Sequence, residues 1–158
     1  MTLRRVAPLV IFPLALSLLA QGSAAEVQKR YKRSVEHYAV PDVTLVNQNG
    51  KKVKLNELLN AEDGVLVDFV FTTCTTICPL LSIGFSDFQK KLGAESKKVQ
   101  LVSISIDPEN DTPKLMKAYL QRYGAQPGWD YLTGNREDID KVLKVFNAYS
   151  ANKMSHAP

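Results

Sequence analysis

Two cysteines stand four positions apart in Cys74-Thr75-Thr76-Ile77-Cys78-Pro79, and the 158-residue chain has no others. Thiols at that spacing support three chemistries: cycling between dithiol and disulfide, ligating a soft metal ion, or forming a structural disulfide in an oxidising compartment. A five-residue ring removes little chain entropy, so a staple here stabilises little by that route, which favours redox or metal chemistry. Structural zinc normally takes four protein ligands, whereas the whole chain offers two Cys and two His. A cuprous ion accepts fewer donors and prefers sulfur, so two thiolates with one imidazole would make a credible three-coordinate site. The imidazole is His37, ahead of the first strand, or His156, two residues from the end. Read from the residues alone, His37 is a solvated tether residue and His156 a tail residue. A tail folded over the strand ends would bring His156 to the cysteines, with Met154 as a softer substitute.

The elements that must position this pair are legible around it. Val65 to Phe71 and Val99 to Ile106 are apolar, β-branched runs that predict two buried strands. Pro79 suits a first helical turn, Leu81, Phe85, Phe88 and Leu92 repeat at helical spacing, and Gly93 marks a stop. The cysteines therefore fall where a strand hands over to a helix. A regular helix holds Cβ atoms four apart at roughly 5 to 6 Å, whereas a disulfide wants about 3.5 to 4.5 Å, which places Cys74 in the loop. Cys78, at the helix N-terminus, is expected to be the thiolate, favoured by free amides and the helix dipole. Asp68 interrupts its apolar strand and must be bonded or shifted in pKa. The leading expectation is a hydrogen-bonded structural carboxyl; the alternative is a proton acceptor for the thiols.

A hairpin around Asn49-Gly50 precedes these strands, with arms Pro41 to Val46 and Lys52 to Leu55. After them, Asp111-Thr112-Pro113 predicts a capped helix with the stripe Leu115, Tyr119, Leu120 and Tyr123, ended by Gly124. A short strand at Tyr131 and Leu132 leads into a helix with Ile139, Val142, Leu143 and Phe146 on one face and a cap at Glu137 or Asp138. The order hairpin, β, α, β, α, β, α predicts an α/β sandwich, a parallel sheet with helices on both faces and ligands beyond the strand C-termini.

Composition bounds the rest. With 45% hydrophobic and 23% charged residues, the chain is unlike disordered, collagenous or repeat sequences, and two cysteines are too few for a disulfide-scaffolded mini-protein. Arg4 and Arg5 precede the apolar stretch Val6 to Ala20, and Ser23, Ala24 and Ala25 follow. Residues 1–25 thus predict a signal peptide, with an uncleaved anchor as the alternative and the only route to a membrane, because the stretch is shorter than the roughly 20 residues a spanning helix needs. Export to the periplasmic side of the inner membrane follows. Without this leader eighteen Lys and Arg face sixteen Asp and Glu, a net charge of +2. The basic residues Lys29, Arg30, Lys32 and Arg33 lack aromatic interleaving, so no nucleic-acid partner is expected. Residues 26–39 are expected to be a linker and 40–158 the folded domain.

Phe71-Thr72-Thr73-Cys74-Thr75-Thr76-Ile77-Cys78-Pro79 resembles the C-x-x-x-C-P loop of the SCO/SenC family. Asn49-Gly50, Ser103-Ile104-Ser105-Ile106-Asp107-Pro108 with Asp111-Thr112-Pro113, and Gly128-Trp129 with Leu132-Thr133-Gly134 resemble family blocks in the same order. The resemblance runs from about Tyr38 to His156. It implies a thioredoxin-like fold and an exported location. It also implies delivery of copper to the binuclear copper centre of cytochrome c oxidase, or reduction of that centre's thiols. On its motif Cys74 and Cys78 are ligands and redox pair, and His156 aligns with the ligand histidine, for copper as Cu(I) or Cu(II). A thioredoxin-like reductant or another copper chaperone would be a further partner. Asp107 and Asp111 match family positions, where capping and loop hydrogen bonds account for them. The alternative function is metal-independent thiol–disulfide exchange, and the implied role is a metallochaperone's rather than an enzyme's. Family members continue past the histidine through a β-hairpin and a final helix, which this chain lacks, so an uncovered sheet edge and an exposed apolar face are expected.

Overall fold

Asn47 closes the first turn with its side chain: its Oδ1 accepts the backbone N–H groups of Asn49 and Lys51 at 3.0 and 3.1 Å. Gly50 takes the left-handed φ of 76° that the reversal needs. The arms are β1, Thr44–Asn47, and β2, Lys52–Lys54, antiparallel with Leu45 opposite Val53. The computed structural model describes residues 34–60 and 64–148. Leu55, expected in the second arm, instead starts a short helix, α1, Leu55–Leu59. Leu55 is fully buried and Leu58 and Leu59, three and four residues on, pack on the same core, so tertiary burial overrides the alternation.

Three parallel strands follow: β3, Gly64–Val70, β4, Val99–Ser105, and β5, Trp129–Thr133. The sheet order is β2-β1-β5-β4-β3, with β1 antiparallel to β5 through Val46 opposite Thr133. β4 is an interior strand, buried from Leu101 onward as predicted. β3 is not: among the described residues it pairs only with β4, Val65 and Val67 are half-buried and Leu66 is exposed. Its apolar run, which predicts a buried strand, stands at the edge of the sheet formed by the described residues.

Three helices are α2, Cys78–Leu92, α3, Pro113–Arg122, and α4, Arg136–Val145. Pro79 and Pro113 occupy first turns as expected. Thr112 caps α3 through its Oγ1, and Asn135, rather than Glu137 or Asp138, caps α4 by accepting the Asp138 N–H at 2.8 Å. The short Asn side chain reaches N3 from the cap position, two and three residues before the helical acids Glu137 and Asp138 that favour the dipole.

Strand alternation divides the interior in two. Val102, Ile104 and Leu132 point to one face, where they meet Leu45, Leu55, Ile139, Val142 and Leu143. Gly134, just past β5, lies so close that a Cβ there would sit 2.7 Å from Leu45 Cδ2. Leu101, Trp129 and Tyr131 point to the other face, with Val70, Cys78, Met116, Tyr119 and Leu120. That second face departs from the predicted stripes. α2 buries Cys78, Ser82, Ser86 and Gln89, leaving Phe85 and Phe88 half-buried and Leu81 exposed. α3 buries Met116 with Tyr119 and Leu120, while Leu115 is exposed. Two of the buried polar residues of α2 have clear partners: Ser82 Oγ and Tyr119 OH are 2.8 Å apart, and Gln89 accepts the Gln126 N–H at 3.0 Å while donating to the Gln126 carbonyl at 3.2 Å. Hydrogen bonding removes the desolvation penalty that would otherwise expel them.

Candidate functional site

The loop between β3 and α2 begins at Phe71, whose carbonyl accepts the Cys74 N–H at 3.2 Å in a tight turn. Cys74 lies in the loop, half-buried, and Cys78 is buried as the first residue of α2; both are free thiols. Each thiol shifts the other's ionisation, and the Cys74 Sγ lies 3.7 Å from Thr76 Oγ1. The two sulfurs differ sharply. Burial pushes Cys74 up, but hydrogen bonds from the Cys78 thiol, the backbone N–H groups of Cys78 and Thr76, and the Thr76 hydroxyl outweigh it and bring the thiol down to about 7. Burial pushes Cys78 up to about 12, reinforced by its role as donor to Cys74.

This reverses the expectation that Cys78 is the thiolate. The Cys78 N–H that opens α2 does favour a sulfur anion, but on the loop cysteine, and the helical cysteine is too deeply desolvated to ionise. Cys74 is therefore the more readily ionised of the two thiols, and Cys78 holds its proton.

Asp68 also departs from its leading expectation. Neither carboxyl oxygen has a hydrogen-bond partner. Burial, only partly offset by the neighbouring Ser103 hydroxyl and the Asp68 backbone, raises its pKa to about 6. The Ser103 oxygen already accepts the Trp129 Nε1–H at 3.0 Å. Asp68 faces the side of the sheet that carries Cys78, whose pKa its charge helps to raise.

Asp111 is not a cap, since Thr112 is. Its carboxyl group is buried and accepts four hydrogen bonds: from Thr72 N at 3.0 Å and Thr72 Oγ1 at 2.5 Å, from Ser105 Oγ at 2.6 Å and from Tyr131 OH at 2.9 Å. The sequence hides this function because Asp-Thr-Pro looks like a cap from either residue. Asp107, by contrast, makes the local bonds expected of it, accepting both amide hydrogens of Asn110.

His37 is exposed in the segment before β1. His156 and Met154 lie outside the described residues, as does the leader. Among the described residues no group of three or more His, Cys, Asp or Glu is placed to hold a metal ion, so the donors brought together are the two sulfurs. Ile77 and Leu80, 55% and 64% exposed, and Leu81 and Ile83 put apolar surface on the solvent side of α2 beside them.

A family model for SCO1/SenC matches residues 32–157. The chain belongs to the SCO1/SenC family. It is 43% identical over 115 residues to the SCO1 protein homolog of Bacillus subtilis, covering 71% of this chain and 58% of that protein. This SCO1/SenC chain spans about half the length of the relatives it matches. Among solved structures, Bradyrhizobium japonicum ScoI with copper bound is 33% identical, with a TM-score of 0.62 over 69% of this chain and 68% of that one. BsSco, a Sco family member of cytochrome c oxidase assembly in which a disulfide switch was identified, is 41% identical, with a TM-score of 0.60 over 68% of this chain and 63% of that one. The mixed five-stranded sheet with its helices matches these thioredoxin-like Sco structures.

Proposed function

We propose that this chain is an exported copper chaperone that takes copper as cargo on Cys74 and Cys78, completes the site with His156, and serves the binuclear copper centre of cytochrome c oxidase. The carrying observation is a pair of free thiols where β3 hands over to α2, Cys74 half-buried in the loop and lowered to about 7, Cys78 buried as the first helical residue and raised to about 12. A soft cuprous ion replaces the proton shared between such sulfurs, and at neutral pH one of them is already half ionised. The copper-bound Bradyrhizobium relative and the oxidase-assembly relative BsSco support the same cargo and partner. Among the described residues no helix is long and apolar enough to cross a membrane; residues 1–25 carry the export signal.

Competition of the reduced protein with a Cu(I) chelator tests this. One Cu(I) per chain is expected, with none held after Cys74→Ser or after oxidation to the disulfide, and weaker binding after His156→Ala. Unchanged binding by Cys74→Ser would overturn the reading.

The same asymmetry favours a second reading, reduction of the acceptor's thiols. Cys74 would attack the acceptor disulfide, giving a mixed disulfide, and Cys78 would resolve it as its proton leaves. Presenting metal-free reduced chain and copper-loaded chain separately to an oxidised acceptor domain distinguishes the two: only the second reading predicts acceptor reduction without copper.

A further inference from the structure

Outside the sulfurs, the densest buried polar junction on the thiol side of the sheet is the carboxyl group of Asp111. It joins four parts of the chain. Thr72, two residues before Cys74, donates to Oδ1 through both N–H and hydroxyl, whereas Ser105 at the end of β4 and Tyr131 in β5 donate to Oδ2. Burial and the nearby Asp111 charge push the Tyr131 phenol far above its ordinary range, so it remains a donor. One oxygen thus holds the scaffold and the other holds the loop.

We propose that Asp111 is the positioning residue of the thiol loop, fixing the exit of β3 at Thr72 so that Cys74 stays against Cys78. β3 ends at Val70, so among the described residues Thr72 is tied to the sheet by chain continuity and by these bonds to Asp111. Two hydrogen bonds to a buried carboxyl group fix the backbone there. The turn that follows, with Cys74 N–H on the Phe71 carbonyl, then starts from a set direction. The inference deepens the copper reading and rests on it only for its metal readout; the thiol–disulfide equilibrium tests it without metal.

That equilibrium is measured in glutathione buffers. Protein dithiol plus glutathione disulfide gives protein disulfide plus two glutathione thiols, two electrons and two protons passing to glutathione. In parallel, Cu(I) affinity is measured by chelator competition and stability by thermal unfolding. Thr72→Val and Asp111→Asn are expected to lower the equilibrium constant for the protein disulfide, and the Cu(I) affinity, about 10-fold each, as loss of bonds to a buried carboxyl group implies. Thr72→Ser, which keeps the hydroxyl, is expected to stay within about twofold of wild type. Tyr131→Phe removes a donor on the scaffold side and is expected to lower the unfolding temperature while leaving both thiol readouts within about twofold. If Asp111→Asn fails to fold, the Thr72 variants carry the test. An unchanged equilibrium constant in Thr72→Val, or an equal fall in Thr72→Val and Tyr131→Phe, would overturn the proposal. A fall in Cu(I) affinity without one in the disulfide equilibrium would overturn it too. Absence of Cu(I) binding in every form, wild type included, with the disulfide shift present, would sink the copper reading and leave Asp111 in its place.

Discussion

The two faces of the sheet are built from different materials. Under α1 and α4 the buried contacts are Leu45, Leu55, Val102, Ile104, Leu132, Ile139, Val142 and Leu143, all aliphatic. Under α2 and α3 the interior is threaded with Asp68, Ser82, Ser86, Gln89, Ser103, Ser105 and Asp111. An aliphatic face contributes by burial alone, is indifferent to pH and tolerates any orientation that packs. A hydrogen-bonded face fixes particular atoms in particular directions, and the cysteine pair sits on that face. Stability and chemistry are thus divided across one sheet.

The sharpest way to break this division is to damage the aliphatic face and look for an effect at sulfur. Ile139→Ala should cost about 3 kcal/mol of unfolding free energy in denaturant titration, with the Cys74 alkylation rate in the folded protein unchanged. A slowed thiol would mean that the two faces are coupled. On the polar face, Cys74 should alkylate on the order of 100-fold faster than Cys78 at pH 7, since thiolate supply exceeds the loss of nucleophilicity at low pKa. Its rate should titrate with a midpoint near 7, as followed by mass spectrometry of singly modified protein.

Asp68 predicts a smaller effect with a definite sign. Its folded pKa, about 6, lies above the ordinary aspartate value of about 3.9, so the native state binds the proton more tightly than the unfolded chain. This carboxyl therefore costs no stability below pH 4, and its ionisation destabilises the fold progressively as pH rises through 6. Asp68→Asn should raise stability at pH 7 by about 2 kcal/mol and flatten the pH dependence between about 4 and 6; a decrease at pH 7 would refute an unpartnered carboxylate. The smallest change tests how tightly the aliphatic face is packed. Gly134→Ala must push Leu45 and should cost about 1 kcal/mol, seen as a lowered unfolding midpoint with both thiols unaffected.

Much of this division can be read without coordinates, and the exceptions have causes. Pro79, Pro113, Gly93 and Gly124 mark helix ends because their backbone preferences are local. The stripe Ile139, Val142, Leu143 and Phe146 is correct because α4 lies on the aliphatic face, where apolar periodicity is the whole signal. On α2 the same logic selects Leu81 over Ser82, since the Tyr119 hydroxyl that makes Ser82 welcome inside is 37 residues away. Asp111 is missed for the same reason, its loop partner Thr72 being 39 residues earlier. The cysteine loop is recognised, but the sulfur that ionises is misjudged, because a dipole argument places charge by residue position and burial assigns it by depth.

Gln89 gives the thiol helix a fixed far end. It stands eleven residues beyond Cys78, about 16 Å along the axis, and its amide grips the backbone of Gln126 in both directions. A helix pinned at its tail and loaded at its head behaves as a lever with an immovable fulcrum. The small displacement needed when sulfurs join or part is then expected in residues 73–77, between the Thr72 anchor and the helix.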